Sequence, residues 1–585
     1  MLRGAPQALF PGLLRAWGAT HLVYERDTDA YARGRDAAVA KLAAAAGVEV
    51  VTRSGRTLWD SDELVARHHG GKPTMSITQL QAAGRAVGPI PRPLPAPEGL
   101  PDPGDTPLDF DLELDLAQAP NSDAANDEVD VNAAHRTEGA DTSHAHLAGP
   151  GGDFGVPTLA ELGFAAGAAT TPHRGGETRV LARLDEVVTR DDEAYAATFR
   201  KPRTSPAAFD PPATTLLSPA LHFGALSPRL FYWRAQDAVD SYEKKRKEQG
   251  KGREEEASKP PESLTGQLLF RDMYFAAQAG IGEAFTRTLG NPHCRFIPWH
   301  LPSKTGGAAD GAYEVDSAEA ERWFRRWRAG TTGFPFADAL MRQLRREGWI
   351  HHLGRHVLAC LLTRGGCYVD WERGADVFAE LLLDHEPACN AGNWQWLACA
   401  AFFAQYHRVY SPVAFGRRWD PDGRLIRRYV PELARLDAKY IYEPWKAPRA
   451  ALDDAGVRIE GDGLEDEDQP ATSREGTYPP PMFDFAERRR ACMAAMKTAY
   501  AVGLYGDDKR VRDGSWRRLF EQEGSGKTEM RGESDGHEDE DQGTTDDGEH
   551  ADDADHQPQR KKHGRSGSGS AKEGPMDKHV KKLKT

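Results

Sequence analysis

Two histidines spaced four residues apart are the side chains of this sequence best suited to do chemistry. The run WIHHLGRHV, residues 349–357, places His352 and His356 on one face of a predicted apolar helix. Three roles fit such a pair: metal ligands, buried structural histidines, or proton donors beside a reaction. Zinc hydrolases with this spacing carry a Glu directly after the first His, whereas here Leu353 follows His352 and the cationic Arg355 is close by. We therefore predict no metal site, and the other two roles stay open at this level.

The elements that must position these histidines change in character along the chain. Between residues 1 and 110, helical runs alternate with short strand-like runs, in the order ALFPGLLRAWGA, HLVYER, RDAAVAKLAAAAG and VEVVTRS. This order predicts a parallel α/β sheet with crossover helices. No strand precedes the first helix, so we expect a short sheet. From about 175 to 450 helical periods dominate, with predicted surface insertions at 242–263 and 302–317.

The predicted fold is α/β then all-α: an N-terminally shortened Rossmann-like α/β domain, then a large helical domain, then a disordered tail. The predicted boundaries are 1–115 for the partial α/β domain, 116–153 for a disordered linker, 154–450 for the helical domain, 451–505 for a variable loop and terminal helix, and 506–585 for a disordered tail that is first acidic and then basic.

Charge is distributed unevenly along the chain. The formal net charge of -14 comes largely from acidic segments without predicted structure, such as residues 533–556. Basic runs at 322–330, 342–349 and 416–433 are interleaved with aromatics, and together they favour an anion-binding surface over merely solvated helix faces. The basic end of the tail fits a nuclear import signal, a nucleic-acid contact or a solvated tail equally well.

Cysteine usage and hydropathy restrict the cellular context. The six cysteines show no paired spacing, so we expect buried thiols in a reducing compartment; they are Cys294, Cys360, Cys367, Cys389, Cys399 and Cys492. No run of about twenty apolar residues occurs, so no membrane span is expected. The first residues do not follow the pattern of a signal peptide.

Several long motifs between about 154 and 450 resemble, in order, the FAD-binding helical domain of the photolyase and cryptochrome flavoproteins. They are TTLLSPALHFGALS, GQLLFRDMYF, FIPW, TGFPFADALMRQL, IHHLGRH and LLLDHEPACNAGNWQWLACAAFFAQYHRVYSPVAFGRRWDPDGRLIRRYVPEL. Within that family the chain resembles the animal-type branch, which contains (6-4) photolyases and animal-like cryptochromes. The resemblance implies FAD as the cofactor.

The resemblance assigns cofactor-binding residues motif by motif. Thr214, Thr215 and Ser218 match the segment that holds the FAD phosphates, where short hydroxyls at a helix start can meet a diphosphate. Arg355 and Asp384 match the ion pair that lies against the isoalloxazine ring.

Four further residues complete the implied cofactor set. Asn390 matches the side chain that faces flavin N5, and Gln267 and Arg271 are assigned to the same site. The second acid of the family's pair is Glu386 in this chain rather than Asp.

The resemblance also implies an electron-transfer chain. Trp394, Trp371 and Trp299 match the three positions that carry electrons between flavin and surface. Tyr368 lies three residues before Trp371, one helical turn away, where many animal-type members have a fourth Trp. We expect oxidation in the order Trp394, Trp371, Trp299, with Tyr368 terminal.

The resemblance also assigns a role to the two histidines. Enzymes for cyclobutane dimers have Asn and Met at the positions of His352 and His356, whereas (6-4) enzymes have His at both. His352 is therefore the expected proton donor to the lesion and His356 its partner. Imidazole suits the role because its unperturbed pKa is about 6.5.

Substrate residues follow from the same motifs. Gln267 matches a residue that hydrogen-bonds the flipped lesion, and Lys201 resembles a lesion- or backbone-binding lysine. Trp396 matches an aromatic pocket wall, which would select damaged bases because they unstack easily. Phe270 replaces the family's usual Trp, and Met273 replaces Phe.

Two functions fit these features. The first is a blue-light-driven FAD protein that repairs (6-4) photoproducts in UV-damaged DNA. The second is a signalling cryptochrome without repair activity, with clock or signalling partners contacting the long tail. An antenna chromophore, deazaflavin or folate, has no assured cleft in a shortened α/β domain. We expect the protein in the nucleus, the cytoplasm or both.

Overall fold

The computed structural model describes residues 6–68, 70–99, 101, 159–160, 163–165, 167–168, 170–250, 255–303, 313–464 and 476–521. All of them belong to one compact unit. The first elements are helix α1 (Pro6–Ala16), strand β1 (His21–Glu25), helix α2 (Ala30–Ala45), strand β2 (Glu49–Arg53), helix α3 (Ser61–Arg67) and helix α4 (Ile77–Val87).

Helices make up nearly all of the regular secondary structure in the later part. They are α5 (Glu177–Thr189), α6 (Ala194–Thr198), α7 (Ser218–His222), α8 (Pro228–Glu248), α9 (Leu264–Ile281), α10 (Ala318–Ala329), α11 (Pro335–Glu347), α12 (His352–Leu362), α13 (Trp371–Leu381), α14 (Pro387–Leu397), α15 (Ala414–Trp419), α16 (Arg424–Tyr429), α17 (Arg449–Ala455), α18 (Phe485–Val502), α19 (Lys509–Arg512) and α20 (Arg517–Glu521). Strands β3 (Arg458–Ile459) and β4 (Thr477–Tyr478) form a short parallel pair.

The N-terminal segment has the predicted helix–strand–helix–strand order. Strands β1 and β2 pair in parallel, with Val23 opposite Val51. Helices α1 and α2 cover one face of this pair through a small core that includes Leu14 and Ala43. Val23 on the other face is 63% exposed. The prediction of a short parallel sheet is confirmed for the described residues.

Helix α9 joins the N-terminal segment to the rest of the fold. Leu58, Leu64 and Leu80 share one apolar core with Leu268 and Met273 of α9. Hydrogen bonds also hold the loop after β2 against α9. The buried carboxylate of Asp272 accepts hydrogen bonds from the backbone N–H groups of Leu58 (2.9 Å) and Trp59 (3.3 Å).

A larger core lies among helices α10 to α14 and α16. It forms because these helices carry apolar residues at three- and four-residue spacing, which makes one continuous buried face on each. Helix α11 is buried almost throughout and packs against α10, α12 and α16. Helices α12, α13 and α14 contact one another, and α14 also contacts α9. This packing brings the motifs of the predicted site together.

Several predictions need correction. The segment 242–263 is not wholly a surface insertion, because α8 extends to Glu248 and the side chains of Tyr242 and Ser258 are buried. The tail does not begin at 506, because α19 and α20 extend order to residue 521. Cys389 is half-buried, whereas the other five cysteines are buried as predicted.

Other expectations fall outside the described residues. They are the linker 116–153, most of the insertion at 302–317 and the tail beyond 521. Apart from the start of the tail, the domain boundaries drawn from the sequence stay predictions.

Candidate functional site

Helix α12 begins with three imidazoles, His351, His352 and His356, which we call the histidine cluster. His351 is the N-cap residue, and its Nδ1 accepts the N–H of Leu353 at 3.2 Å. The ring of His352 lies 4.2 Å from that of His351 and 5.9 Å from that of His356. The predicted helical pair therefore exists, with a third ring beside it that the sequence prediction left without a role.

The environment of the histidine cluster opposes its protonation. Burial lowers the pKa of His351 and of His356 to about 3, and that of His352 falls well below its usual value. The charges of Lys201 and Arg355 add to this effect. Burial, and then Arg355, lowers the pKa of Lys201 itself to about 8. In the absence of a bound anion, the imidazoles are thus neutral at physiological pH.

Arg355 and Asp384 form the predicted ion pair. The Nη2 group of Arg355 lies 2.8 Å and 3.2 Å from the two carboxylate oxygens of Asp384. Burial raises the pKa of Asp384, but the charge of Arg355 and hydrogen bonds from Arg355 and Ser218 outweigh it, so the pKa lies below its ordinary value. Both partners of the pair are therefore charged, and Arg355 directly precedes His356 of the histidine cluster.

The second acid, Glu386, is held by two arginines from distant parts of the chain. Arg271 of α9 donates from Nε to Glu386 at 2.8 Å, and its Nη2 bonds the other carboxylate oxygen. Arg56, from the loop after β2, places Nη2 3.7 Å from the same carboxylate. The thiol of Cys389 donates to Glu386 at 3.3 Å. The extra methylene relative to Asp is accommodated because Arg271 meets the carboxylate with two donors.

The residues matched to the phosphate segment lie beside these acids. Ser218 is the exposed first residue of α7, and its hydroxyl accepts the indole N–H of Trp349 at 3.3 Å. The carbonyls of Thr214 and Thr215 accept hydrogen bonds from Arg183 at 3.5 Å and 3.1 Å. The predicted helix start at Ser218 is therefore present, and a cation is fixed close to it.

Two amides lie at the edges of the site. Asn390 donates its side-chain N–H to the carbonyl of Ala375 at 2.8 Å, which orients the amide. Gln267 donates to the carbonyl of Pro261 at 2.8 Å, at the start of α9. Both side chains are half-buried.

The predicted aromatic wall is assembled from two helices. The ring of Phe270 on α9 meets that of Trp396 on α14 edge to face, with centroids 5.9 Å apart. Trp396 also stacks on Phe403 at 5.4 Å, with an interplanar angle of 8°. All three rings are half-buried, so part of each stays exposed.

The predicted electron-transfer residues are all buried. Trp394 packs against Gly374 of α13, the helix that begins at Trp371, and the indole of Trp371 donates to Thr288 at 2.9 Å. The rings of Trp299 and Tyr368 lie 4.7 Å apart.

One detail of that prediction is wrong. Tyr368 is not one helical turn from Trp371, because it adopts a left-handed backbone conformation (φ 57°) before the helix begins. Its neighbour is Trp299, which lies beside it because segments 299–301 and 368–370 exchange backbone hydrogen bonds.

Sequence reasoning missed three residues of this region. Arg56 lies 330 positions from Glu386, and no local pattern links the two. Trp327 meets Trp394 edge to face at 6.2 Å, but in the sequence it reads as an ordinary core residue. His351 belongs to the same run of histidines as His352, and only its hydrogen bond to the N–H of Leu353 as the N-cap residue distinguishes its role.

The site fits a large polar cofactor. Within the described residues, the Nδ1 atoms of His222 and His385 are buried without a hydrogen-bond partner, and the charges of Asp384 and Glu386 act on both rings. Unpaired polar atoms beside two ion pairs suit a ligand that carries phosphates, hydroxyls and ring nitrogens. In the same residues, no three His, Cys, Asp or Glu side chains are grouped to hold a metal ion. None of the described helices is both long and apolar enough to cross a membrane.

Comparison with known proteins gives consistent matches along the chain. Residues 1–98 match the DNA photolyase family, and residues 264–498 match the FAD binding domain of DNA photolyase. Cryptochrome-2 of Gallus gallus is 37% identical over 501 residues, which are 86% of this chain and 71% of that protein. The (6-4)DNA photolyase of Oryza sativa subsp. japonica is 36% identical over 499 residues, 85% of this chain and 74% of that protein.

A structural match agrees with these relatives. The crystal structure of a bacterial class III photolyase from Agrobacterium tumefaciens has a TM-score of 0.56 at 23% identity, over 85% of this chain and 83% of that one. This likeness shows the fold, an α/β segment followed by a helical domain. The predicted order, an α/β domain followed by a helical domain, is confirmed.

The helical half of the fold is thus the FAD-binding domain of a photolyase-type flavoprotein. With relatives above one third identity over most of its length, the chain belongs to the photolyase/cryptochrome family. Animal cryptochromes and a (6-4) photolyase stand together among those relatives, as expected for the animal-type branch.

Proposed function

We propose that this protein uses blue light to repair (6-4) photoproducts in DNA, and that it also serves as a light receptor. The observation that carries the repair proposal is the pair of His352 and His356 on one face of α12, with Lys201 and Arg355 close to them. A purely structural pair would have no need of two cations beside it. FAD, bound near Asp384 and Glu386, would supply light-driven electron transfer.

His352 is the proposed proton donor to the lesion. Its Nε2 is buried without a partner among the described residues, so it is available to a substrate atom. The imidazole is neutral in the free protein because burial and nearby cations lower its pKa. A DNA phosphate brings negative charge, which raises the pKa of a nearby imidazole and lets it take up the proton it must donate.

The remaining residues hold the substrate. Lys201 would attract the phosphate of a flipped nucleotide. The rings of Phe270 and Trp396 would stack on the lesion bases, and Gln267 would hydrogen-bond their edges. Asn390 would hold a neutral amide toward the flavin and so respond to proton changes there without adding charge.

The test uses reduced, FAD-loaded protein illuminated with duplex DNA that carries one defined (6-4) lesion. The wild-type protein should restore the two pyrimidines, while His352→Ala should retain FAD and lesion binding but lose repair. His293→Ala is the matched control, because burial also lowers the pKa of this half-buried imidazole outside the site. Repair by His352→Ala at the wild-type rate would refute the assignment.

The alternative is a signalling cryptochrome without repair activity. Two observations favour it: animal cryptochromes are among the relatives, and Phe270 stands where the family usually has Trp. In that case the lesion stays intact under the same illumination, and light acts through Trp394, Trp371, Trp299 and Tyr368 on clock or signalling partners. A Tyr368→Phe variant with an unchanged long-lived radical spectrum would remove Tyr368 from this chain.

Both functions place the protein with DNA or clock partners, and we propose the nucleus as its main location, with the cytoplasm as the second. Fusion of residues 557–585 to a fluorescent protein tests this, since a nuclear signal should concentrate the fusion in the nucleus. Whether deazaflavin or folate serves as an antenna is tested by extracting chromophores from the purified protein.

A further inference from the structure

The N-cap position gives His351 a fixed protonation state. Its Nδ1 accepts the backbone N–H of Leu353 at 3.2 Å. An imidazole nitrogen can accept only while it carries no proton, so the ring proton resides on Nε2. Protonating Nδ1 would break the cap and leave a backbone donor at the start of α12 without its partner. His351 is therefore committed to the neutral Nε2–H form for as long as the helix keeps this cap.

The ring of His351 also constrains its neighbour. It is 3% exposed, and its centroid lies 4.2 Å from that of His352 with the planes at 34°. Two imidazolium charges at this separation in a buried site would repel strongly. Of these two rings, only one can therefore carry a proton at a moderate cost in free energy, and the cap excludes His351.

The groups around the cluster do not reverse this order. Lys201 and Arg355 act on all three rings as cations, and Arg364 acts on His356. The nearby carboxylate of Asp384 is engaged by Arg355, and the ring of Tyr410 meets that of His356 at 5.4 Å. Among the described residues no carboxylate is hydrogen-bonded to the histidine cluster. A proton that enters with a bound anion thus has His352 and His356 as its destinations.

We propose that His351 is a positioning residue that keeps the proton of the site off the first ring and delivers it to His352 and His356. The inference rests on the proposed repair function, for which it names the residue that selects the acid. In the free protein all three rings stay neutral. When DNA brings its phosphates, the added proton goes to the ring that faces the lesion, because the capped ring cannot accept it without opening the helix.

The test combines nitrogen NMR of histidine-labelled protein with two substitutions. His351→Asn keeps the cap, because the Asn side-chain oxygen accepts the same N–H, but it removes the ring. His351→Ala removes both, and a lower unfolding temperature of His351→Ala than of His351→Asn will report the lost cap. The probes are FAD-loaded protein alone, with undamaged duplex, and with duplex carrying a (6-4) lesion.

In the wild-type protein, His351 should show the Nε2–H form between pH 5 and 8 with each probe. Because a neutral ring exerts no charge repulsion, the pKa of His352 in the lesion complex of His351→Asn should equal the wild-type value, and the acidic limb of the repair rate should stay at the same pH. An Nδ1–H form of His351, or a pKa of His352 that rises by about one unit or more in His351→Asn and so shows that His351 had carried charge, would overturn the proposal. If the wild-type protein repairs nothing, the repair function fails, while the ring form and the titrations still decide the role of His351.

Discussion

The strongest single-atom test of the proposed electron-transfer chain is the substitution Gly374→Ala. Gly374 lies on α13 one turn after Trp371, and the indole of Trp394 lies against it. A Cβ at this position would come within 2.2 Å of Trp394 Cη2, 2.5 Å of Trp394 Cζ3 and 2.6 Å of a Leu362 methyl. Restoring an ordinary contact of 3.4 Å requires the indole to move by roughly 1.2 Å.

The surroundings leave little space for that movement. Trp394 is 2% exposed, with the ring of Phe378 at 5.0 Å and that of Trp327 at 6.2 Å. Overpacking of this kind costs about 1–3 kcal/mol, and Ala in place of a helical Gly returns about 1 kcal/mol. The net loss of stability is therefore roughly 0–2 kcal/mol, so the variant should fold. Its effect on function should appear as slower electron transfer, because the transfer rate depends on the distance and orientation between the indole and the flavin.

The assay is the rate at which bound FAD is photoreduced under blue light, normalised to FAD content from absorbance. Gly374→Ala should bind FAD and reduce it much more slowly than the wild-type protein. Gly34→Ala is the matched control, since it also replaces a helical Gly but its Cβ would meet nothing within 4 Å. If both variants photoreduce FAD at the wild-type rate, Trp394 is not the first electron donor or its ring is not held as described.

Three other outcomes are expected in urea unfolding. Below pH 6.5 the unfolded chain protonates its histidines while the histidine cluster stays neutral, so the free energy of unfolding decreases as the pH is lowered. His351→Asn removes one of these histidines and should reduce this pH dependence by about 1.4 kcal/mol per pH unit between pH 6 and 4. Arg271→Leu leaves Glu386 buried without its main partner and should cost about 3–5 kcal/mol. Burial raises the pKa of Asp272 to about 7. The contribution of this residue to the free energy of unfolding therefore declines as the pH rises from about 4 through 7. The Asp272→Asn variant should lack this decline and should be more stable than the wild-type protein at pH 8.

Controls with exposed residues separate these effects from general ones. Arg85→Leu and Asp240→Asn change exposed side chains and should alter stability by no more than about 0.5 kcal/mol. The reasoning about Glu386 is wrong if Arg271→Leu unfolds at the same urea concentration as Arg85→Leu. Equal stability of Asp272→Asn and wild type at every pH would contradict the raised pKa, and an unchanged slope in His351→Asn would contradict the neutral ring.

Much of the site could be predicted from local sequence. The four-residue spacing of His352 and His356 places them on one helical face whatever surrounds the helix. The alternation of helical and strand-like runs predicted the parallel pair of β1 and β2, because burial imposes those periods on the chain. The ion pair of Arg355 and Asp384 followed from family motifs, which preserve contacts between residues distant in sequence.

Other features exist only through packing between distant elements. Arg56 reaches Glu386 because helix α9 holds the loop after β2, and no pattern within either segment encodes that distance. Tyr368 meets Trp299 because two loops pair side by side, whereas sequence spacing pointed to a helix. The protonation state of the histidine cluster is also a tertiary property, since desolvation depends on what surrounds the rings. By itself, the sequence determined which groups are present and which share a helical face. The tertiary structure decided which of them touch and which carry charge, because both depend on neighbours supplied by remote parts of the chain.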